Sequence, residues 1–355
     1  MKSLFKSTSK ILVATSLVLS LGTSSLVAET KDKFQVAWTI YVGWMPWDYA
    51  QSQGIIDKWA KKYGIEIELV QVNDYIESIN QYTAGKFDAC VMTNMDALTI
   101  PAAGGVDSTA LIMGDFSNGN DGVVLKNKKS LSQIKGQNVN LVELSVSHYL
   151  LARGLESVGL SEKDIKVVNT SDADIVAAFT SLDVTAVTTW NPQLSELTSN
   201  KNANLVFDSS KIPGEIIDML VVHTETVNDN PKLAKALTGA WFEVMALMKK
   251  GDTKALEFMA EASGADLAGY KSQLDSTMMF YDASDALKFA LSEDLLTTMK
   301  KVSEFSFDHG ILGEGAPNAE FIGMEFPANK TFGDTKNIKL RFIDTYVKMA
   351  TEGKL

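Results

Sequence analysis

Apolar and polar positions follow two rhythms along this chain, and the rhythms alternate in a regular order. Residues 34–38 read as a strand, and residues 65–72 alternate with period two for most of their length. Between them, Pro46 suits the first turn of a helix running through Trp59 to Tyr63. A helix over 75–84 stopped by Gly85, a strand over 87–92, a helix over 96–103 and a strand over 109–114 continue the series. Such a β-α-β-α order predicts a mainly parallel sheet with helices on both faces.

Six turn-forming residues, Ser117 to Gly122, then break the rhythm and read as a crossing into a second series. That series has strands over 123–125, 139–142, 165–168 and 185–188, with helices over 147–158 and 172–180. Lys211-Ile212-Pro213-Gly214 reads as the return, followed by a strand over 219–222. Beyond Pro231 the periodicity is helical, over 232–250, 253–262, 284–304 and 337–350, and no internal repeat is visible. The expectation is an α/β protein of two doubly wound sheets joined by two crossovers, with a helical C-terminal region. One lobe comprises 29–117 with 219–355, the other 118–218. Ligands of open α/β sheets bind outside the carboxyl ends of the strands, so the residues after each strand are the candidates.

The first residues change the picture of where the chain works. Lys2, Lys6 and Lys10, the apolar run Ile11 to Leu21 and the small residues ending at Ala28 have the three-part pattern of a secretory signal peptide, residues 1–28. The run is too short to span a bilayer comfortably. The single cysteine, Cys90, lies far from the expected cleavage point and has no partner for a disulfide. A soluble periplasmic product without a lipid anchor is expected, with a large apolar core as its only brace. The net charge of −11 becomes −14 once the three signal lysines are gone, which argues against nucleic acid and anionic membranes as partners.

The expected cleft carries a particular chemistry. Trp38, Tyr41 and Trp44 follow the first strand, with Trp47 just inside the next helix; Asn94 and Asp96 follow the third. Asp115 precedes the crossing, and Asp218 sits on the return. The second lobe offers Glu143, Ser145, His148, Trp190 and Asn191, while Asp121 reads as a turn-former. Glu143 closes a strand expected to be buried, so its carboxylate would need a partner. Aromatic faces and carboxylates suit a cation; an anion would want cationic side chains or helix N-termini, and Arg153 and Arg341 are the only arginines in the chain. Phosphate loops, nucleophile elbows and metal-ligand spacings are missing from the sequence, so neither catalysis, a cofactor nor a metal is expected.

Several segments stand in the order and spacing of a known family. They are Trp44 to Ala50 with Gly54-Ile55-Ile56, Ala84 to Ala89, Ile134 to Gln137, Ser145 to Leu151, Gly159-Leu160 with Asp164-Ile165, and Trp190-Asn191-Pro192. In these the chain resembles the nitrate/sulfonate/taurine-type substrate-binding proteins of ABC importers. Leu182 departs from the pattern, where the family usually has Gly, and Thr185 stands where a charged residue is common. A narrower resemblance, to the subgroup associated with urea carboxylase, lies in Ile40 to Trp47, Val91 to Leu98 and Gly114 to Gly122. The resemblance implies the two-lobed type II periplasmic binding fold, a monomer that closes about a hinge, an inner-membrane permease as partner, and guanidine, a guanidinium-like cation or urea as ligand. Other small solutes such as a sulfonate or nitrate, and an enzyme of the same fold such as those of pyrimidine-precursor pathways, are the alternatives.

Overall fold

The computed structural model describes residues 31–355 apart from Glu314; the expected signal segment, 1–28, lies outside the described residues. Fourteen strands are found there: β1 Lys33–Trp38, β2 Glu66–Gln71, β3 Ala89–Thr93, β4 Ser108–Ser117, β5 Asp121–Lys126, β6 Asn138–Leu141, β7 Lys166–Asn169, β8 Ala186–Trp190, β9 Ala203–Asp208, β10 Ile217–His223, β11 Thr277–Met279, β12 Gly323–Phe326, β13 Lys330–Phe332 and β14 Ile338–Phe342. They form two sheets. The larger runs β13-β12-β14-β4-β10-β3-β1-β2, with β11 added on β4, and the smaller runs β7-β6-β8-β5-β9. All five residues of β3 and all five of β8 are buried, because helices cover both faces of each sheet at its centre.

The chain crosses between sheets twice, from β4 to β5 through residues 118–120 and from β9 back to β10 through 209–216. These crossings correct the mainly parallel expectation. A strand entering from the other sheet starts beside the point where β4 leaves, and must therefore run the opposite way. β10 is accordingly antiparallel to both β3 and β4, and β5 antiparallel to both β8 and β9.

Local chemistry accounts for the other departures. The helix expected over 46–63 is two, Met45–Ser52 and Ile55–Tyr63, because Gly54 adopts a left-handed φ of 68° between them. The segment 284–304 is also two helices, Ala283–Ala290 and Glu293–Asp308; the Ser292 side chain accepts from the Leu295 amide and starts the second. The segment 337–350 holds the strand β14 and then a helix, Thr345–Thr351. Among the described residues, no helix is long and apolar enough to cross a membrane.

Candidate functional site

The short connection between β4 and β5 and the return into β10 bring three acids to one point. Asp115 and Asp218 are directly opposite each other on antiparallel β4 and β10, and Asp121 opens β5. A bulge beside Asp218 shifts the register there, pairing Met219 with Met113 and leaving Gly114 unpaired. Gly114 is required, since a Cβ there would stand 2.8 Å from the Trp241 ring. Like charges directly opposite in a sheet repel, and these are buried at 0% exposure for Asp115 and 3% for Asp121 and Asp218.

Beside this cluster is a small cavity. The larger sheet and its loops supply Tyr41, Trp44, Tyr75, Thr93 and Asp218; the smaller sheet and its helices supply Asp121, Val146 and Trp190, with Ile216 from the return. Four rings form a continuous wall. Tyr41 meets Trp44 edge-on at 4.9 Å, Trp44 lies 5.8 Å from Tyr75, and Tyr75 meets Trp190 edge-on at 5.4 Å, so the wall passes from one sheet's elements to the other's. No lysine, arginine or histidine lines it.

Hydrogen bonds hold the acids but leave oxygens free. Tyr41 Oη donates to Asp115 Oδ1 at 3.0 Å, Ser117 Oγ to Asp121 Oδ2 at 2.5 Å, and Tyr75 Oη and Thr93 Oγ1 to Asp96 Oδ2 at 2.6 and 2.9 Å. Asp96 Oδ1, Asp115 Oδ2 and Asp218 Oδ2 are buried and take part in no well-formed hydrogen bond within the protein. Such oxygens are expensive when left unpaired. Burial pushes the Asp115 and Asp121 carboxyls up to about 7; hydrogen bonds from Tyr41 and Asp218 hold back the first, and the Ser117 hydroxyl the second. Asp218 is raised well above the ordinary carboxylate range, by burial and then by the charges of Asp115 and Asp121. Asp96 is pushed up to about 6 by burial, against the hydrogen bonds of Tyr75 and Thr93 and the Val146 amide. Among the described residues, no group of three or more His, Cys, Asp or Glu is disposed to hold a metal ion.

Of the residues expected from the sequence, Tyr41, Trp44, Trp190 and Asp218 line the cavity. Asp115 stands behind Tyr41, and Asp96 behind Tyr75. Others have structural work instead. Asn94 bonds the backbone of the return, donating to Glu215 O at 3.1 Å and accepting from Ile217 N at 2.9 Å. Ser145 caps the helix Val146–Ser157, and Asn191 accepts from the Ser195 amide at 2.9 Å. Trp38 is packed in the core away from the cavity. His148 uses Nδ1 to accept the Leu144 amide at 3.2 Å and does not line the cavity. Glu143 is corrected outright: it is exposed, because β6 ends at Leu141 and the chain turns outward before the capped helix. Tyr75, Thr93, Val146 and Ile216 also line the cavity without a signal in the sequence pattern, and Asp121, turn-like in composition, starts a buried strand. Its place beside the crossing was the available signal, since both sheets approach each other there.

Residues 37–262 match the NMT1-like family. The alkanesulfonate-binding protein of Xanthomonas axonopodis pv. citri, solved with MOPS, superposes with a TM-score of 0.67 at 16% identity, over 81% of this chain and 96% of that one. The periplasmic nitrate-binding protein of Synechocystis PCC 6803 gives 0.57 at 13% identity, over 90% and 98%. Likeness at these identities concerns the fold, which is that of the periplasmic binding proteins. A putative binding protein of Brucella abortus (strain 2308) is 22% identical over 181 residues, 50% of this chain and 56% of the relative. The chain thus spans about half the length of the curated relatives it matches.

Proposed function

The chain belongs to the NMT1-like family, and from that premise we propose that it is the solute-binding component of an ABC importer, capturing guanidine or a small guanidinium-like cation in the periplasm. The observation that carries this reading is a cavity lined by Asp121 and by Asp218, whose Oδ2 is buried without a well-formed hydrogen bond, against an aromatic wall lacking any cationic side chain. A cation against such rings gains roughly 0.5–2 kcal/mol, more when desolvated. A planar guanidinium also offers paired N–H groups in the geometry a carboxylate accepts. The sulfonate and nitrate named for the neighbours would bring negative charge to Asp121 and Asp218. The feature that suits an anion, the start of the helix Val146–Ser157, already faces Asp96 through the Val146 amide.

The lining comes from elements of both sheets, and every lining residue is nearly shut from solvent. Entry therefore requires the two lobes, taken as 29–117 with 219–355 and 118–218, to part about the crossings and close on the ligand. In this role the protein acts as a monomer, and its closed form is what an inner-membrane permease reads. Urea is the second reading, favoured by the subgroup resemblance at Ile40 to Trp47; being neutral, it has no use for an ionised carboxylate.

A thermal-shift panel of guanidinium, methylguanidine, agmatine, urea, taurine and nitrate, kept at low millimolar concentration, tests the ligand. Guanidinium at 100 times its dissociation constant should add about 2.7 kcal/mol of stability. A response confined to taurine or nitrate would overturn the cationic reading.

A further inference from the structure

We propose that the site exchanges a proton for its ligand: in the empty protein the Asp115–Asp218 pair holds a proton, and a cation entering the cavity displaces it to solvent. The inference rests on the cationic reading and adds how occupancy is governed. Its basis is the placement of the pair. The two residues are cross-strand partners on β4 and β10, each with one buried oxygen in no well-formed hydrogen bond within the protein. The groups facing them are Tyr41 on Asp115, Asp121 at the head of β5, and Tyr270 and Tyr281 from the elements packed behind. Asp96 acts in turn on Asp121. All are acids, so none can neutralise a second carboxylate. Two adjacent buried carboxyls cannot both ionise unless a cation joins them, and the pair titrates as a unit. Asp218 is the member of the pair that lines the cavity and meets an entering cation.

The balance is one for one. The O–H bond of the pair breaks, the proton passes to water, and the guanidinium N–H groups take its place on Asp218, the member that lines the cavity, with Asp121 beside it. Guanidinium keeps its charge throughout, and a neutral ligand such as urea has no need to release the proton. Low pH therefore competes with the cation, and higher pH favours loading.

Isothermal titration of guanidinium chloride into the full mature protein, in buffers of different ionisation enthalpy, counts the protons directly. About one proton should be released per guanidinium at pH 6, fewer at pH 9, with the dissociation constant falling by up to about tenfold per pH unit between pH 5 and 7. Saturable guanidinium binding with no proton released, and the same affinity at pH 5 and 8, would overturn the exchange and leave the cationic reading intact. No guanidinium binding at any of these pH values would sink both. Infrared spectra locate the proton without requiring ligand. The carbonyl stretch of a protonated carboxyl should be present in the empty protein at pH 6 and weaker in Asp218→Asn. An unchanged band in that variant would place the proton elsewhere and overturn the assignment to the pair.

Discussion

Asp218→Asn should weaken guanidinium binding about thirty-fold to several-thousand-fold while making the empty protein more heat-resistant at neutral pH. Removing one member of a buried charge pair typically costs 2–5 kcal/mol of binding, and each 1.4 kcal/mol is tenfold. The gain in stability has the same origin. Asp218 faces Asp115 across the strand pair, and an amide there sits beside Asp115 without first having to take up a proton. The sign with pH follows from the raised carboxyls. An acid raised in the folded state contributes stability that is complete below about pH 4 and lost as pH rises through its folded value, about 7 for Asp115 and Asp121. The advantage of Asp218→Asn over the parent should therefore be small at pH 4 and grow toward pH 8. Melting curves of both proteins at the two pH values, with titrations at pH 7.5, check it. A variant that melts lower at pH 8 and binds guanidinium as tightly as its parent would remove Asp218 from the site.

Glu215→Ala is expected to act in the opposite sense, by loosening the union of the two halves. Glu215 lies on the return to β10 and is 7% exposed. It accepts Tyr149 Oη at 2.7 Å and Arg153 Nε and Nη2 at 3.0 and 3.2 Å, all from the helix Val146–Ser157 beside the smaller sheet. Lys301, on the helix Glu293–Asp308, approaches it at 3.7 Å. Burial works to raise the Glu215 carboxyl, but hydrogen bonds from Arg153 and Tyr149, with the charges of Arg153 and Lys301, leave it below its ordinary value. Breaking a buried pair can cost 3–5 kcal/mol; with the Arg153 side chain 29% exposed, screening brings the expected loss to about 2 kcal/mol. A depressed carboxyl contributes stability present above the ordinary glutamate value and lost as pH falls through its folded value, so the deficit should fade in acid. Small-angle scattering of the empty variant should give a larger radius of gyration than the parent, contracting when guanidinium saturates it. Identical profiles and melting temperatures in variant and parent would show that Glu215 does not tie the halves.

The order of elements through β8 was legible because each sheet's centre is covered on both faces, and buried strands between amphipathic helices leave strong periodic signals; the helix Gln193–Thr198 and the edge strand β9, less buried, were not read. What pattern could not supply was the direction of the crossing strands or the breaks at Gly54 and Ser292, which turn on single residues inside continuous apolar periodicity. β14 was read as helix because a five-residue strand and a seven-residue helix together mimic one periodic segment. The site was legible in its residue types more than in its members. Tyr41, Trp44, Trp190 and Asp218 follow from the rule that ligands gather at strand ends. Tyr75 escaped it because it starts a helix and reaches the cavity from the side, and Glu143 satisfied it while pointing to solvent. Asp121 shows the most general lesson: turn-like composition at a crossing hides residues that both halves bury.

A crystal structure of the protein grown with millimolar guanidinium tests the central claim most directly. The expected result is a flat trigonal ligand in the cavity, its nitrogens about 2.7–3.0 Å from carboxylate oxygens of Asp121 and Asp218 and its face against Trp44 or Tyr75. An empty cavity under saturating guanidinium, or an anion seated there in its place, would contradict it.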